Sequence, residues 1–170
     1  HGVRGMHVLQ FGARADGGQA LDPPPPGAVA SVNTHDTATF AGWWAGRDLD
    51  LQLEMGRITA EDHRNALAYR GQVRESMIDF LSRRGLLGKD ASPRDVLLGC
   101  LRWLAAGQAG LVLISLEDLW LEAEPQNVPG TGPERPNWRR RTAPSFESWT
   151  ADPELIKLLQ EVNELRRAGG

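Results

Sequence analysis

Apolar positions fall at two different spacings along the chain, and the two alternate. Residues 6–11 and 29–32 are short apolar-rich runs, the first preceded by Gly2 and Gly5, the second ending at Asn33, Thr34, His35 and Asp36. Both read as short strands. Residues 111–116 form a continuous apolar run after Gly110, the pattern of a strand buried on both faces of a parallel sheet. Between and after these runs the spacing turns helical. Val73, Met77, Phe80 and Leu81 share one helical face, with Thr59 and Asp62 placed as a capping box upstream and Gly85 as a stop. Ser92, Pro93 and Asp95 open another helix, Leu97, Leu101 and Leu104 mark its buried face, and Gly107 ends it. A last helix starts at Asp152-Pro153 and runs through Leu155, Leu159 and Val162 to Arg166 and Arg167, whose charges suit a helix C-terminus.

The links between elements are informative. Residues 17–27 are rich in Gly and Pro and include Pro23 to Pro26; four successive residues without an N–H donor exclude helix and central strand and predict a surface connection. A polar, Pro-rich loop occupies residues 122–144. The predicted order is strand, long link, strand, helices, strand, loop, helix, with no internal repeat. Strands joined through helices predict an α/β fold with a parallel sheet. Three strands alone leave open edges, and a TIM barrel needs eight strands and typically about 250 residues. If the chain is barrel, it is a piece of one, with about three strands plus helices. The 170 residues are enough for one compact domain with its own core.

Composition narrows the function classes. A formal charge of −3 gives no basic field for nucleic acid. No apolar run approaches a membrane span, and residues 1–11 lack the basic-then-apolar order of a secretory signal. The single cysteine, Cys100, lies in an apolar helical stretch and is read as a small core residue. A cytoplasmic protein without membrane or nucleic-acid partners is expected. The chain opens with His1 and not methionine, and the barrel reading predicts a truncation there.

Three segments carry a resemblance. They are Gly5-Met6-His7-Val8-Leu9-Gln10-Phe11; Asn33-Thr34-His35-Asp36-Thr37-Ala38-Thr39 followed by Gly42-Trp43-Trp44; and Glu117-Asp118 with Glu124-Pro125-Gln126-Asn127-Val128-Pro129-Gly130-Thr131 and Asn137-Trp138-Arg139-Arg140. Each is weak alone. In this order and spacing the chain resembles the 4-alpha-glucanotransferases (amylomaltases), over nearly its whole length and most closely the bacterial maltodextrin-utilisation branch. Many relatives carry Asn-Asp after the His-Asp pair where this chain has Thr37-Ala38, a departure that bears on substrate preference.

The resemblance implies transfer of a 1,4-alpha-glucan segment to a 4-hydroxyl of glucose or another glucan by retaining double displacement, with no metal or organic cofactor. Such chemistry uses one carboxylate as nucleophile and one as acid/base. In the family these stand at the ends of strands four and five. The resemblance instead makes residues 1–170 the C-terminal part of a TIM (β/α)8 barrel, supplying strands six to eight, with the helical crossover at about residues 49–107 enlarged. The chain alone is thus expected to be inactive, and its partners to be maltooligosaccharides, or 1,4-alpha-glucans generally, and the missing N-terminal part of its own barrel. By resemblance, Asp36 is the third carboxylate, which supports the oxocarbenium-like transition state. His35 would donate to hydroxyls of the same sugar. Asn127 has two open readings, a hydrogen bond to a glucose hydroxyl or the cap of a plain Pro-Gly turn. Trp43 and Trp44 are read as core before sugar platforms, and Arg135 with Arg139, Arg140 and Arg141 as a solvated or carboxylate-pairing cluster.

Two other classes share some of these residues. A non-catalytic glucan-binding module would use the tryptophans and Asn127. A metal-dependent phosphohydrolase would use His35-Asp36 with His7 or His63, but such sites need several ligands converging from helices.

Overall fold

The computed structural model describes residues 2–88 and 90–168. Three strands, β1 (Met6–Val8), β2 (Val29–Ser31) and β3 (Leu111–Leu113), form a parallel sheet in the order β1-β2-β3. Met6 pairs with Val29 and Val29 with Leu111, and the register continues to Val8, Ser31 and Leu113. Parallel neighbours need long crossovers. Here the first is the 17–27 link, in which Pro24 is buried and the Trp103 indole donates to the Asp22 carbonyl at 3.2 Å.

The second crossover is helical, and local chemistry sets its boundaries. Between β2 and β3 lie α2 (Phe40–Ala45), α3 (Arg47–Glu54), α4 (Ala60–Arg83) and α5 (Pro93–Ala106). Thr59 and Asp62 form the predicted capping box of α4, and Ser92 and Asp95 that of α5, with Pro93 at its start. Gly85 follows α4 with φ +69°, a backbone that favours glycine. After β3 come the short helices α6 (Leu116–Leu119) and α7 (Phe146–Thr150) and the last helix, α8 (Pro153–Ala168); a one-turn helix, α1 (Leu9–Gly12), directly follows β1. Asp152 caps α8 by accepting from the Glu154 N–H at 2.9 Å.

The core gathers Val73, Met77, Phe80 and Leu81 of α4 with Leu97, Leu101 and Leu104 of α5, Ala30 of β2, and Leu155, Leu158 and Val162 of α8. Burial of each large side chain contributes about 1.5–3 kcal/mol. Cys100 is fully buried among them, and burial pushes its thiol far up, which leaves it inert. Arg102 grips Glu161 with two hydrogen bonds, at 2.6 and 3.0 Å, tying α5 to α8.

Two sequence expectations need correction. Residues 6–11 are not one strand, because Leu9 turns the chain into α1. The run 111–116 is a strand only to Leu113, and it is not covered on both faces: Leu111 and Leu113 are about half exposed, and Met6, on the same face of β1, is more so. The core helices pack on the face of Ala30 and Val112. Arg166 and Arg167 lie in the last turn of α8 as expected, and Arg166 has a second role. It reaches across to the carbonyls of Ala105, Gly107 and Ala109 at the end of α5, at 3.4 and 2.9 Å for the first two. No described helix is long and apolar enough to cross a membrane.

Candidate functional site

Segments leaving the C-terminal ends of the three strands meet at one end of the sheet. Gln10 follows β1, and its N–H continues the ladder to the Val32 carbonyl at 3.1 Å. The segment after β2 folds into a tight turn. The Thr37 hydroxyl accepts from the Thr34 N–H at 2.9 Å and donates to the Thr34 carbonyl at 3.0 Å, while the Thr34 hydroxyl accepts from the Asp36 N–H at 3.3 Å. The turn holds His35 and Asp36 outward, both side chains half or more exposed. Thr39 ends the turn by capping α2, accepting from the Gly42 N–H at 3.2 Å.

The third contribution is the loop of residues 122–144, which fixes itself through its own side chains. The Asn137 carboxamide accepts from the Val128 N–H at 3.1 Å and donates to the Thr131 hydroxyl at 3.0 Å, and that hydroxyl donates to the Val128 carbonyl at 2.7 Å. Trp138, at φ +61°, donates its N–H to the Gln126 carbonyl at 2.9 Å. From α3's end, Arg57 clamps the Pro129 and Gly130 carbonyls at 3.0 and 3.1 Å. A Cβ on Gly42 would stand 2.3 Å from the Ala123 carbonyl oxygen, so this loop lies directly against α2 only because residue 42 is glycine.

These supports bring the three candidate residues together. Asn127 donates from Nδ2 to Asp36 Oδ1 at 2.6 Å, and His35 Nε2 lies 3.2 Å from Asp36 Oδ2. The ring of His35 also meets Trp138, centroids 5.9 Å apart. Beside Asp36 opens a cleft of about 440 Å³ with Gln10, Phe11, Trp43, Arg47 and Asn127 in its wall. This size and mixed lining suit a small organic ligand. Two other carboxylates line it, Asp48 and Glu124. Asp48 is held by Arg70 at 2.9 Å, and Glu124 by Arg47 at 3.2 Å and Arg135 at 3.0 Å. Among the described residues Asp36 is the carboxylate in the cleft that no arginine neutralises.

Sequence reasoning named Asp36, His35 and Asn127 but missed Gln10. Gln10 is 8 % exposed, lines the cleft, and its Nε2 makes no hydrogen bond. A buried amide left unpaired costs about 1–3 kcal/mol, and its place in the first motif segment, directly after β1, was the available signal. Trp43 is buried with the Arg70 guanidinium 4.4 Å from its ring centroid, and Trp44 stacks on Phe40, so both serve mainly as core. Arg135 pairs with Glu124, and Arg140 with Glu122 at 3.5 Å, as the cluster reading expected. No three histidine, cysteine or carboxylate side chains among the described residues converge as metal ligands. His63, a partner in the phosphohydrolase reading, pairs instead with Asp50 at 2.8 Å.

The family model of the 4-alpha-glucanotransferases matches residues 1–146. The chain belongs to this family. It is 32% identical over 145 residues to the 4-alpha-glucanotransferase of Mycobacterium tuberculosis strain H37Rv, covering 81% of this chain and 20% of that protein. To the Haemophilus influenzae 4-alpha-glucanotransferase it is 24% identical over 167 residues, covering 94% and 24%. The chain thus spans about a fifth to a quarter of the length of these relatives. The amylomaltase structure from Corynebacterium glutamicum superposes with a TM-score of 0.75 at 22% identity, over 97% of this chain and 25% of that one. The Streptococcus agalactiae amylomaltase, solved in complex with acarbose, superposes with a TM-score of 0.65 at 18% identity, over 98% and 28%. The shared fold covers essentially all of this chain.

Proposed function

We propose that residues 1–170 are the C-terminal part of a 4-alpha-glucanotransferase barrel, with β1, β2 and β3 as its last three strands and residues 49–107 as an enlarged crossover. The exposed apolar face of Met6, Leu111 and Leu113 supports this reading, because parallel sheets are ordinarily covered on both faces. The remainder of the barrel would supply that cover.

The reaction we propose moves a 1,4-alpha-glucan segment onto a 4-hydroxyl of glucose or a second glucan with retention of configuration. Retention needs a nucleophilic carboxylate and an acid/base carboxyl about 5–5.5 Å apart. In this reading both come from the preceding part of the barrel, and the present residues bind and orient the sugar. Asp36 Oδ2 and the His35 imidazole face the hydroxyls, and Asn127 holds Asp36 Oδ1 in place while keeping a second amide hydrogen for the sugar. Hydrogen bonds that strengthen as the ring becomes oxocarbenium-like stabilise the transition state most when their donors and acceptors are fixed beforehand. No metal or organic cofactor takes part. The reading also places the protein in the cytoplasm.

One observation carries the proposal: within the family's motif, Asp36 stands at a strand's C-terminal end beside a cleft, held by Asn127 and free of arginine, where barrel enzymes build their sites. Maltotriose disproportionation by the complete polypeptide tests it. Asp36→Asn is expected to lower kcat by about a hundredfold or more while the melting temperature holds, and residues 1–170 alone are expected to show no transfer. Near-normal turnover of the variant would remove Asp36 from the mechanism.

A further inference from the structure

Asp118 is 1 % exposed, and the transfer chemistry above gives it no role. It sits in α6, just past β3, in the same run of chain that leads on to Asn127. Its two oxygens are both used. Oδ2 accepts from the Asn33 Nδ2 at 2.7 Å, and Oδ1 accepts from the Phe40 N–H at 2.7 Å. Asn33 is 5 % exposed and Phe40 fully buried.

Asn33 and Phe40 are the two ends of the turn that carries His35 and Asp36. We infer that Asp118 is a positioning residue, a buried clamp that closes this turn at its base so that Asp36 is presented to the cleft at a fixed height. Asp118 itself is well anchored. Its N–H donates to the Ser115 carbonyl at 3.2 Å, its carbonyl accepts from the Leu121 N–H at 3.0 Å, and Arg94 from α5 holds the Leu119 carbonyl at 3.0 Å. The segment 116–128 therefore grips the turn at three points, the base twice through Asp118 and the tip once through Asn127.

An apolar residue at position 118 would fill the space at less desolvation cost but would leave two buried donors unpaired. The burial of a carboxylate there follows from the shape of the turn: two donors converge from residues seven apart in sequence, one backbone and one side chain, and a carboxylate offers two acceptor oxygens at that separation. Glu117, its neighbour, is less buried and lines a small cavity with His35 and Trp138, so the two adjacent acids are sorted by burial.

The inference rests on the proposed role of Asp36, and its test separates the two. Asp118→Ala removes both acceptors. Asp118→Asn keeps one for Phe40, and the Asn33 carboxamide, turned over, accepts from the new amide. Amide hydrogen exchange is measured in residues 33–40 of the complete polypeptide, alongside kcat and KM for maltotriose. Asp118→Ala is expected to speed exchange in that segment by about tenfold or more, leaving residues 73–104 protected. It is also expected to lower kcat about tenfold with KM within about threefold, and Asp118→Asn is expected to restore both. If Asp118→Ala does not fold, Asn33→Ala, which removes one bond, is expected to raise exchange in the same segment. Unchanged exchange in the Ala variant, or an Asn variant as impaired as Ala, overturns the clamp. Faster exchange at 33–40 together with full activity of Asp36→Asn would leave the clamp standing and defeat only the catalytic reading.

Discussion

Asn127 donates a 2.6 Å hydrogen bond to Asp36 across 91 positions of sequence, joining the loop after the third strand to the turn after the second. The bond fixes one carboxylate oxygen and leaves the other to His35, at 3.2 Å. Removing the amide frees Asp36 to turn toward water. Asn127→Ala is therefore expected to lower kcat for glucan transfer by about tenfold in the complete polypeptide, with melting changed little because the pair is exposed. Unaltered kcat would show that Asp36 needs no support from this loop.

Gly42 makes the approach of that loop possible. Its missing side chain leaves room for the Ala123 carbonyl, which a Cβ would meet at 2.3 Å. Gly42→Ala forces α2 and the 122–144 loop apart, and overpacking of this kind costs about 1–3 kcal/mol. Denaturant unfolding is expected to show that loss, together with reduced transfer activity. An alanine variant of wild-type stability would mean that the loop yields freely.

Both results would bear on what could be read from the sequence. Local signals were legible: the Thr59-Asp62 and Ser92-Asp95 capping boxes and the Asp152 cap all form as expected, because each involves residues within one turn. Strand ends were less so. Leu9 and Leu116 continue apolar runs but begin short helices, and an apolar run alone does not distinguish the two. Long-range pairings were invisible. Arg166 lies in the last turn of its own helix as expected, but its hydrogen-bond partners 57 to 61 residues away could not be seen, and the family motif contained Asp118 without revealing what it holds. His35, Asp36 and Asn127 were found through that motif, and only the fold brings them together.

Arg166 caps a helix to which it does not belong. Its guanidinium satisfies carbonyls of Ala105, Gly107 and Ala109 at the C-terminal end of α5, where a cation is favoured. Arg166→Ala is expected to destabilise the fold by about 1–2 kcal/mol, read as a lower urea midpoint, with Arg166→Lys recovering part of the loss. A midpoint unaffected by Arg166→Ala would make these bonds incidental.

Asp118 also gives stability a pH dependence. Burial pushes its carboxyl up to about 6, with the neighbouring Glu117 adding to the rise and the Phe40 and Asn33 hydrogen bonds opposing it. In the unfolded chain it returns to about 3.9. Between these values the folded state binds more protons, so this group's contribution to stability falls as pH rises from about 4 to about 6. Unfolding free energies across pH 4 to 7 are expected to shift in favour of Asp118→Asn relative to wild type by on the order of 2–3 kcal/mol. A difference that stays constant over the range would show that Asp118 titrates alike in both states.

The distance in sequence between Asp36 and Asn127 has a consequence for biosynthesis. A ribosome adds about 5–20 residues per second, so the turn bearing Asp36 emerges roughly 5–20 s before the amide that will hold it. Until residues 111–118 follow, the nascent chain has β2 but neither Asp118 to close the turn nor β3 to pair with β2. The cleft is therefore completed only once Asn127 has been made, and a message cut short before its codon yields a chain that carries His35 and Asp36 without the amide that holds Asp36.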